Sequence, residues 1–198
     1  MDSSNLNKLF QFTSLLNKLR AVKRTIYIPH TKEKENDVEH SYHLAMLAWY
    51  IANTHALEFD REKLLMYALI HDMVEVYAGD SFLYSTDQAL HDSKMEREAS
   101  ALLQIEKEFP EFVELQKAIT AYEKKEDKES RFVYALDKIH PVLQIYLDDG
   151  IIWRESNITL AMLLAKKNDK IALSPELAPY WDEFVTILKQ NEERLFIH

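Results

Sequence analysis

Residues 68–80 read ALIHDMVEVYAGD, in which an apolar run leads directly into a histidine and an aspartate. The apolar residues recur at helical spacing, and on a helix Glu75 lies one turn from both His71 and Asp72. The three side chains can therefore converge on one point. Polar groups that follow a core-facing apolar stripe are costly to bury unless they are paired, and metal coordination pairs several at once. Taken alone, the stretch indicates either a salt-bridge network or a functional site.

Helical periodicity continues on both sides of this stretch and predicts an all-α bundle of about seven to eight helices. The helix that carries the stretch is expected to begin after the N-cap Asp60 and to end at Gly79. The preceding helix is predicted from Asn36 to about Ala56, with a capping box formed by Asn36 and Glu39. An earlier helix runs through Leu6 to Leu19, and later ones are predicted over 93–108, 111–123, 128–148, 156–170 and 180–195.

Three segments interrupt the pattern and are predicted to be loops, which is where function usually lies on a rigid helical scaffold. They are Thr25–Glu35, Asp80–Asp92 and Ser174–Pro179. Pro141 has no backbone N–H, so it is predicted to kink or interrupt the helix over 128–148.

Length and glycine content limit the choice of fold. The 198 residues suffice for one domain with a sizeable core, which we assign to 1–198. The helices of 150–198 are expected to pack on that core or at a dimer interface. The chain has only Gly79 and Gly150, which excludes the Rossmann and Walker phosphate loops because both need clustered glycines.

Charge and cysteine content exclude further classes. The formal net charge is −9 and no basic run stands apart from acids, which disfavours a nucleic-acid partner. There is no cysteine, which fits a reducing compartment. The longest apolar run, Leu44–Ala52, is about half a membrane span, and the N-terminus lacks the features of a secretion signal. We therefore expect no membrane partner and a cytoplasmic location.

Two further residues sharpen the interpretation of His71 and Asp72. His40 lies in VEHS on the preceding helix, and Asp137 lies in ALDK on a later one. With this order of histidine, histidine–aspartate and distant aspartate, the sequence resembles the HD superfamily of metal-dependent phosphohydrolases. It is most similar to the YfbR-like 5′-nucleotidase branch, over about residues 16–147.

The resemblance implies a role for each matching residue. One divalent metal would be held by His40, His71, Asp72 and Asp137. Glu75 would be the catalytic carboxylate near the attacking water, Arg24 would bind the phosphate, and Asp80 would position or protonate the leaving group. Lys138 is a candidate for phosphate binding or for pairing with an acid. Nitrogen and oxygen ligands suit a divalent metal but do not choose among Mn, Co, Fe, Ni, Zn and Mg.

The sequence also departs from the branch. An aromatic residue often follows the arginine there, whereas Thr25 follows Arg24 here, and the loop to Glu35 is longer than is usual. Only His91 lies between the histidine–aspartate pair and Asp137, which is too few histidines for a second metal of the kind seen elsewhere in the superfamily.

The resemblance implies a phosphohydrolase that releases phosphate from nucleoside 5′-monophosphates, chiefly deoxyribonucleotides. The alternatives are a hydrolase of another small phosphate ester, a nucleotide sensor without turnover, and a helical scaffold in which the acids and histidines merely pair. The branch is typically dimeric, and Trp153, Trp181 and Phe184 lie beyond the core segment, so we also expect a homodimer.

Overall fold

The computed structural model describes residues 5–80, 83–84, 89 and 92–197, and helices make up most of them. The helices are α1 (Asn5–Ala21), α2 (Asp37–Thr54), α3 (Arg61–Ile70), α4 (Glu75–Ala78), α5 (Lys94–Glu108), α6 (Val113–Lys124), α7 (Lys128–Leu147), α8 (Ile151–Glu155), α9 (Leu160–Ile171), α10 (Ala178–Gln190) and α11 (Glu192–Leu195). Eight of these described helices have ten residues or more, which confirms the predicted bundle of seven to eight helices. None in the described ranges is long and apolar enough to span a membrane.

A small antiparallel hairpin occupies both ends of the segment predicted as a loop at Thr25–Glu35, and residues 28–33 between its strands form the loop. Its strands are β1 (Lys23–Tyr27) and β2 (Lys34–Asn36). The prediction of a loop is wrong for these residues because Thr25 and Ile26 are β-branched and Ile26 is buried, which favours a strand over an open loop. The hairpin matters to function because it carries Arg24 on β1 and Glu35 on β2.

The helix predicted from Asp60 to Gly79 is broken in the middle. Between α3 and α4 the chain forms tight turns in which Met73 N–H donates to the Ile70 carbonyl at 2.9 Å and Glu75 N–H donates to the Asp72 carbonyl at 2.9 Å. These three-residue spacings are those of a 3₁₀ turn, which apolar periodicity cannot distinguish from an α-helix. The break turns the histidine–aspartate pair out of the regular helix.

The predicted helix caps are present. Asn36 Oδ1 accepts from the backbone N–H groups of Val38 and Glu39, and Glu39 Oε2 accepts from Asn36 N–H. Asp60 Oδ1 accepts from Lys63 N–H at the start of α3. Each cap satisfies backbone donors that the first helical turn leaves without partners.

The central helix α7 packs against α2, α3, α6 and α9, and residues such as Phe132, Val133 and Leu136 on it are buried. It continues from Lys128 to Leu147 with Pro141 inside, so Pro141 does not interrupt the helix, and a kink there stays a prediction. Burial on several sides holds α7 together, and the proline removes only one hydrogen bond.

The C-terminal helices join the same core. Trp153, Trp181 and Phe184 are buried within the chain. The loop predicted at Ser174–Pro179 is a 3₁₀ turn at Pro175–Leu177 followed directly by α10, and the single helix predicted over 180–195 is divided between α10 and α11. Most of the loop predicted at Asp80–Asp92 lies outside the described residues.

Substitutions at two positions with left-handed backbone are predicted to change the stability in opposite directions. A Cβ at Gly150 (φ +70°) would lie 2.5 Å from the carbonyl oxygen of Leu195, so we expect Gly150→Ala to lower the free energy of unfolding by about 2 kcal/mol or more. Ala56 (φ 49°) is exposed, so Ala56→Gly relieves strain without loss of packing and should raise that free energy by up to about 1 kcal/mol. Urea denaturation of both variants checks the pair, and equal effects would contradict this reading of the backbone.

Candidate active site

Two imidazoles and two carboxylates meet where α2, α7 and the turn after α3 come together. His40 Nε2 lies 2.9 Å from Asp137 Oδ1 and 3.9 Å from Asp72 Oδ2. His71 Nε2 lies 3.0 Å from Asp72 Oδ2 and 3.7 Å from Asp137 Oδ1. The structure thus brings together, from three separate parts of the chain, the four residues that the resemblance implied as metal ligands.

The donor atoms of this cluster fit a divalent metal. His71 Nδ1 lies 3.0 Å from the Ala68 carbonyl oxygen, which turns Nε2 toward the carboxylates. Nε2 is buried and has no hydrogen-bond partner among the described residues, because Asp72 is close but poorly aligned. Ligand atoms of His40, His71 and Asp72 all lie within 4.8 Å of one another. Imidazole nitrogens and carboxylate oxygens in such a group are typical ligands of first-row metals.

Both aspartates are held in the ionised form. Burial alone would raise the pKa of Asp137, but the ammonium of Lys138 and the contact with His40 lower it well below its ordinary value. Burial likewise opposes ionisation of Asp72, and there His71 and Arg24 lower the pKa. Ionised carboxylates are the form that binds a metal.

Arg24 is tied to the cluster by carboxylates. Its Nη1 donates to Asp72 Oδ2 at 2.8 Å and lies 3.6 Å from Asp37 Oδ1, while its Nε lies 3.5 Å from Glu35 Oε2. Burial alone would lower the pKa of Arg24, but Asp72 and Asp137 raise it overall, so the guanidinium stays charged. A fixed guanidinium beside candidate metal ligands is well placed to bind phosphate oxygens.

A second acidic group lies beside the first. Carboxylate oxygens of Asp37, Asp72 and Glu75 come within 4.8 Å of one another. Burial and the charge of Asp72 raise the pKa of Asp37 to about 7, and burial, Asp72 and Asp37 raise that of Glu75 well above its ordinary value. Sequence reasoning missed Asp37 because an acid in the first turn of a helix is common for its favourable interaction with the helix dipole.

Behind His40 lies a layer of polar residues that orient it. His140 Nδ1 lies 3.0 Å from His40 Nδ1, and Glu35 Oε2 lies 3.5 Å from the same atom. Gln144 Nε2 donates to Glu35 Oε1 at 2.7 Å. The spacing of 137, 140 and 144 places these side chains on one face of α7, a signal that could have identified His140 and Gln144. Such contacts fix the ring orientation of a metal-binding histidine.

His43 does not join the cluster. The side chain of His43 is 51% exposed, and its nearest acidic contact is Glu35 Oε1 at 3.6 Å. His43 therefore lies next to Glu35, beside the cluster, and is not one of the candidate ligands. His91 lies outside the described residues.

The cluster opens into a cavity of about 330 Å³. Arg24, Glu75 and Asp80 line it near the carboxylates. Lys138 also lines it, donates to Asp137 Oδ2 at 2.5 Å and lies 4.8 Å from the centre of the Tyr134 ring. The volume is within the range of roughly 300–1,000 Å³ that is typical of small-molecule sites.

Comparison with known proteins gives consistent matches. A family model described as HD domain matches residues 16–178. The chain is 29% identical over 147 residues to the 5′-deoxynucleotidase HDDC2 of Bos taurus, covering 73% of this chain and 69% of that relative. It is 31% identical over 139 residues to the protein of the same name from Mus musculus, covering 69% of this chain and 67% of the relative.

Solved structures share the fold. A protein from Magnetospirillum magnetotacticum, described as a predicted metal-dependent phosphohydrolase, superposes with a TM-score of 0.82 at 26% identity and covers 98% of this chain and 97% of its own. The PH0347 protein from Pyrococcus horikoshii superposes with a TM-score of 0.64 at 19% identity, over 93% of this chain and 98% of its own, which shows likeness of fold alone.

The cluster predicts that a divalent cation stabilises the chain. Addition of Mn²⁺ to chelator-treated protein should raise Tm by about 5–10 °C at a concentration about a hundredfold above Kd. His40→Ala should lose the shift, and His43→Ala, one turn along α2, should keep it. If His40→Ala does not fold, Asp72→Asn takes its place. Equal Mn²⁺ shifts in all variants would show that the ion binds elsewhere.

Proposed function

This chain belongs to the HD-domain family, and we propose that it is a metal-dependent phosphohydrolase that removes phosphate from nucleoside 5′-monophosphates, chiefly those of deoxyribonucleosides. The family match over residues 16–178 confirms the resemblance seen in the sequence. The similarity to proteins named 5′-deoxynucleotidase supports the substrate class.

One observation carries the proposal: the buried group of His40, His71, Asp72 and Asp137 opens into a cavity that Arg24 also lines. If the cluster were purely structural, its acids and histidines would be expected to pair with one another. Instead, His71 Nε2 has no hydrogen-bond partner among the described residues. The Arg24 guanidinium, held beside the candidate ligand Asp72, supports a role in binding the phosphate.

The four residues of the group hold one divalent metal, with His140 and Glu35 orienting His40. When bound, the metal supplies Lewis acidity toward a phosphoryl oxygen and lowers the pKa of water. Its identity among Mn, Co, Fe, Ni, Zn and Mg is left to measurement, because this ligand set suits several of them.

The remaining residues of the site bind the substrate and move protons. Glu75 accepts the proton of the attacking water, since its buried carboxylate lies beside Asp72 and lines the cavity. Arg24 binds the phosphoryl oxygens on which charge develops and is itself held in place by Asp72. Asp80 lines the same cavity and positions the leaving 5′-oxygen or returns a proton to it. Lys138 adds positive charge next to Asp137.

Phosphate release from a panel of ribonucleoside and deoxyribonucleoside 5′-monophosphates tests the activity. We expect release that stops on chelation and returns with Mn²⁺, Co²⁺ or Mg²⁺, with deoxyribonucleotides the better substrates. A chelated and reloaded protein that binds metal and cleaves no monophosphate would contradict the proposed substrate class.

The role of Glu75 is tested by Glu75→Gln, which keeps the shape of the side chain and removes the proton acceptor. We expect kcat to fall by about 10²-fold or more with metal content unchanged. Glu62→Gln, at an exposed glutamate of α3, serves as the control and should keep wild-type turnover. Wild-type kcat in Glu75→Gln would remove Glu75 from the mechanism.

The active form is a homodimer in the cytoplasm. Tyr42, Met46 and Trp49 form an exposed apolar face along α2, and such faces are typical of protein interfaces. A chain without cysteine needs no oxidising compartment.

We expect Trp49→Glu to shift the protein from dimer to monomer in light scattering after size exclusion, whereas Met95→Glu on α5, also exposed, should not. A wild-type monomer at micromolar concentration would refute the dimer.

A further inference from the structure

The cavity is lined by more cationic side chains than hydrolysis of a nucleoside monophosphate needs. Five lysines line it: Lys94, Lys125, Lys138, Lys167 and Lys170. Once phosphate is released, the leaving group of a nucleoside 5′-monophosphate is a neutral nucleoside. Arg24 and the candidate metal ligands already provide for the phosphate itself. The additional positive charge therefore calls for another explanation.

Three of these lysines are neutralised by a nearby carboxylate. Lys94 pairs with Glu98 at 3.3 Å, Lys125 with Glu123 at 3.5 Å, and Lys138 with Asp137 at 2.5 Å. The side-chain amines of Lys167 and Lys170 make no ion pair or hydrogen bond with any described residue. The unpaired charge thus lies on α9, on the face formed by residues 163, 167 and 170, all of which line the cavity.

Lys167 is the more informative of the two because it is only 5% exposed. Burying an ammonium without a counter-ion is costly, and proteins rarely do so without a ligand or a partner. Burial and the charge of Lys138 lower the pKa of Lys167 to about 7, which is the expected response of a buried amine without a counter-ion.

A second buried donor lines the same cavity. Trp153 on α8 is fully buried and stacks on Phe196 with ring centres 4.5 Å apart. Its indole Nε1–H has no acceptor among the described residues. An indole N–H and a charged ammonium are both donors without acceptor capacity, so an acceptor-rich ligand would satisfy both groups.

We propose that Lys167 and Trp153 bind a second phosphate carried by the leaving group, so that the preferred substrates are nucleoside 5′-monophosphates with a further phosphate on the sugar. The inference rests on the proposed function. The reaction is unchanged: an oxygen of water bonds to the 5′-phosphorus, the bond from phosphorus to the 5′-oxygen breaks, and a proton passes to that oxygen. The second phosphate stays on the product.

The test compares kcat/KM for three substrates built on the nucleoside whose 5′-monophosphate is cleaved fastest. They are the 5′-monophosphate, the 3′,5′-bisphosphate and the 5′-phosphorylated dinucleotide, in which the second phosphate bridges two sugars. We expect the wild type to favour one or both of the latter at least tenfold. Whichever of the two compounds has the higher kcat/KM shows whether the site prefers a terminal or a bridging second phosphate.

Lys167→Met keeps the length of the side chain and removes the charge. This variant should reduce the kcat/KM preference for the substrate with two phosphates at least tenfold. Lys166→Met, at the exposed neighbour on α9, should keep the preference. Equal kcat/KM on all three substrates in the wild type would overturn the proposal. So would a Lys167→Met defect of the same size on each substrate, which would mean that Lys167 binds the scissile phosphate.

A binding measurement separates this inference from the proposed function. In chelator-treated protein, the 3′,5′-bisphosphate should shift the indole N–H resonance of Trp153, assigned with Trp153→Phe, in a saturable manner. The apparent Kd should be at least tenfold higher in Lys167→Met than in Lys166→Met. If no nucleotide is hydrolysed yet this shift occurs, the function fails and the anion site stands. If hydrolysis occurs without any shift, the anion site fails.

Discussion

The cost of burying ionised groups governs this structure. His40 is fully buried, and Asp137 and His71 are nearly so. Burial of ionisable groups is costly without partners, and for these three side chains the surrounding elements supply them. The hairpin brings Arg24 and Glu35, α7 brings Asp137, His140 and Gln144, and the turn after α3 brings His71 and Asp72. The hydrophobic core fixes where these elements lie, and the polar cluster determines what they can do.

The same constraint connects fold and chemistry. A continuous α3 would keep His71 and Asp72 on a regular helix, whereas the 3₁₀ turns point His71 Nδ1 at the Ala68 carbonyl and Nε2 at the carboxylates. Contacts from His140 and Glu35 hold His40 in place. A site assembled in this way is preorganised, and little rearrangement is needed when a cation and a phosphate bind. The cavity is thus lined both by carboxylates that suit a metal and by the lysines of α9.

Local signals explain what the sequence could predict. The caps at Asn36 and Asp60 are formed by residues a few positions apart, so they could be predicted from the sequence. The histidine–aspartate pair was readable because polar residues interrupt an apolar stripe. The hairpin was missed because no short glycine turn joins its strands. Burial of Asp37 and Lys167 depends on residues distant in sequence, and each resembles an ordinary surface charge until the chain is folded.

The most direct test of the central claim is anomalous diffraction at the Mn edge from crystals of the protein loaded with Mn²⁺. We expect one strong peak that lies about 2.0–2.3 Å from Nε2 of His40 and His71 and from carboxylate oxygens of Asp72 and Asp137. A peak elsewhere, such as between Glu35 and His140, would contradict the ligand assignment. Absence of any peak at full loading would show that the buried cluster pairs its own charges and holds no metal.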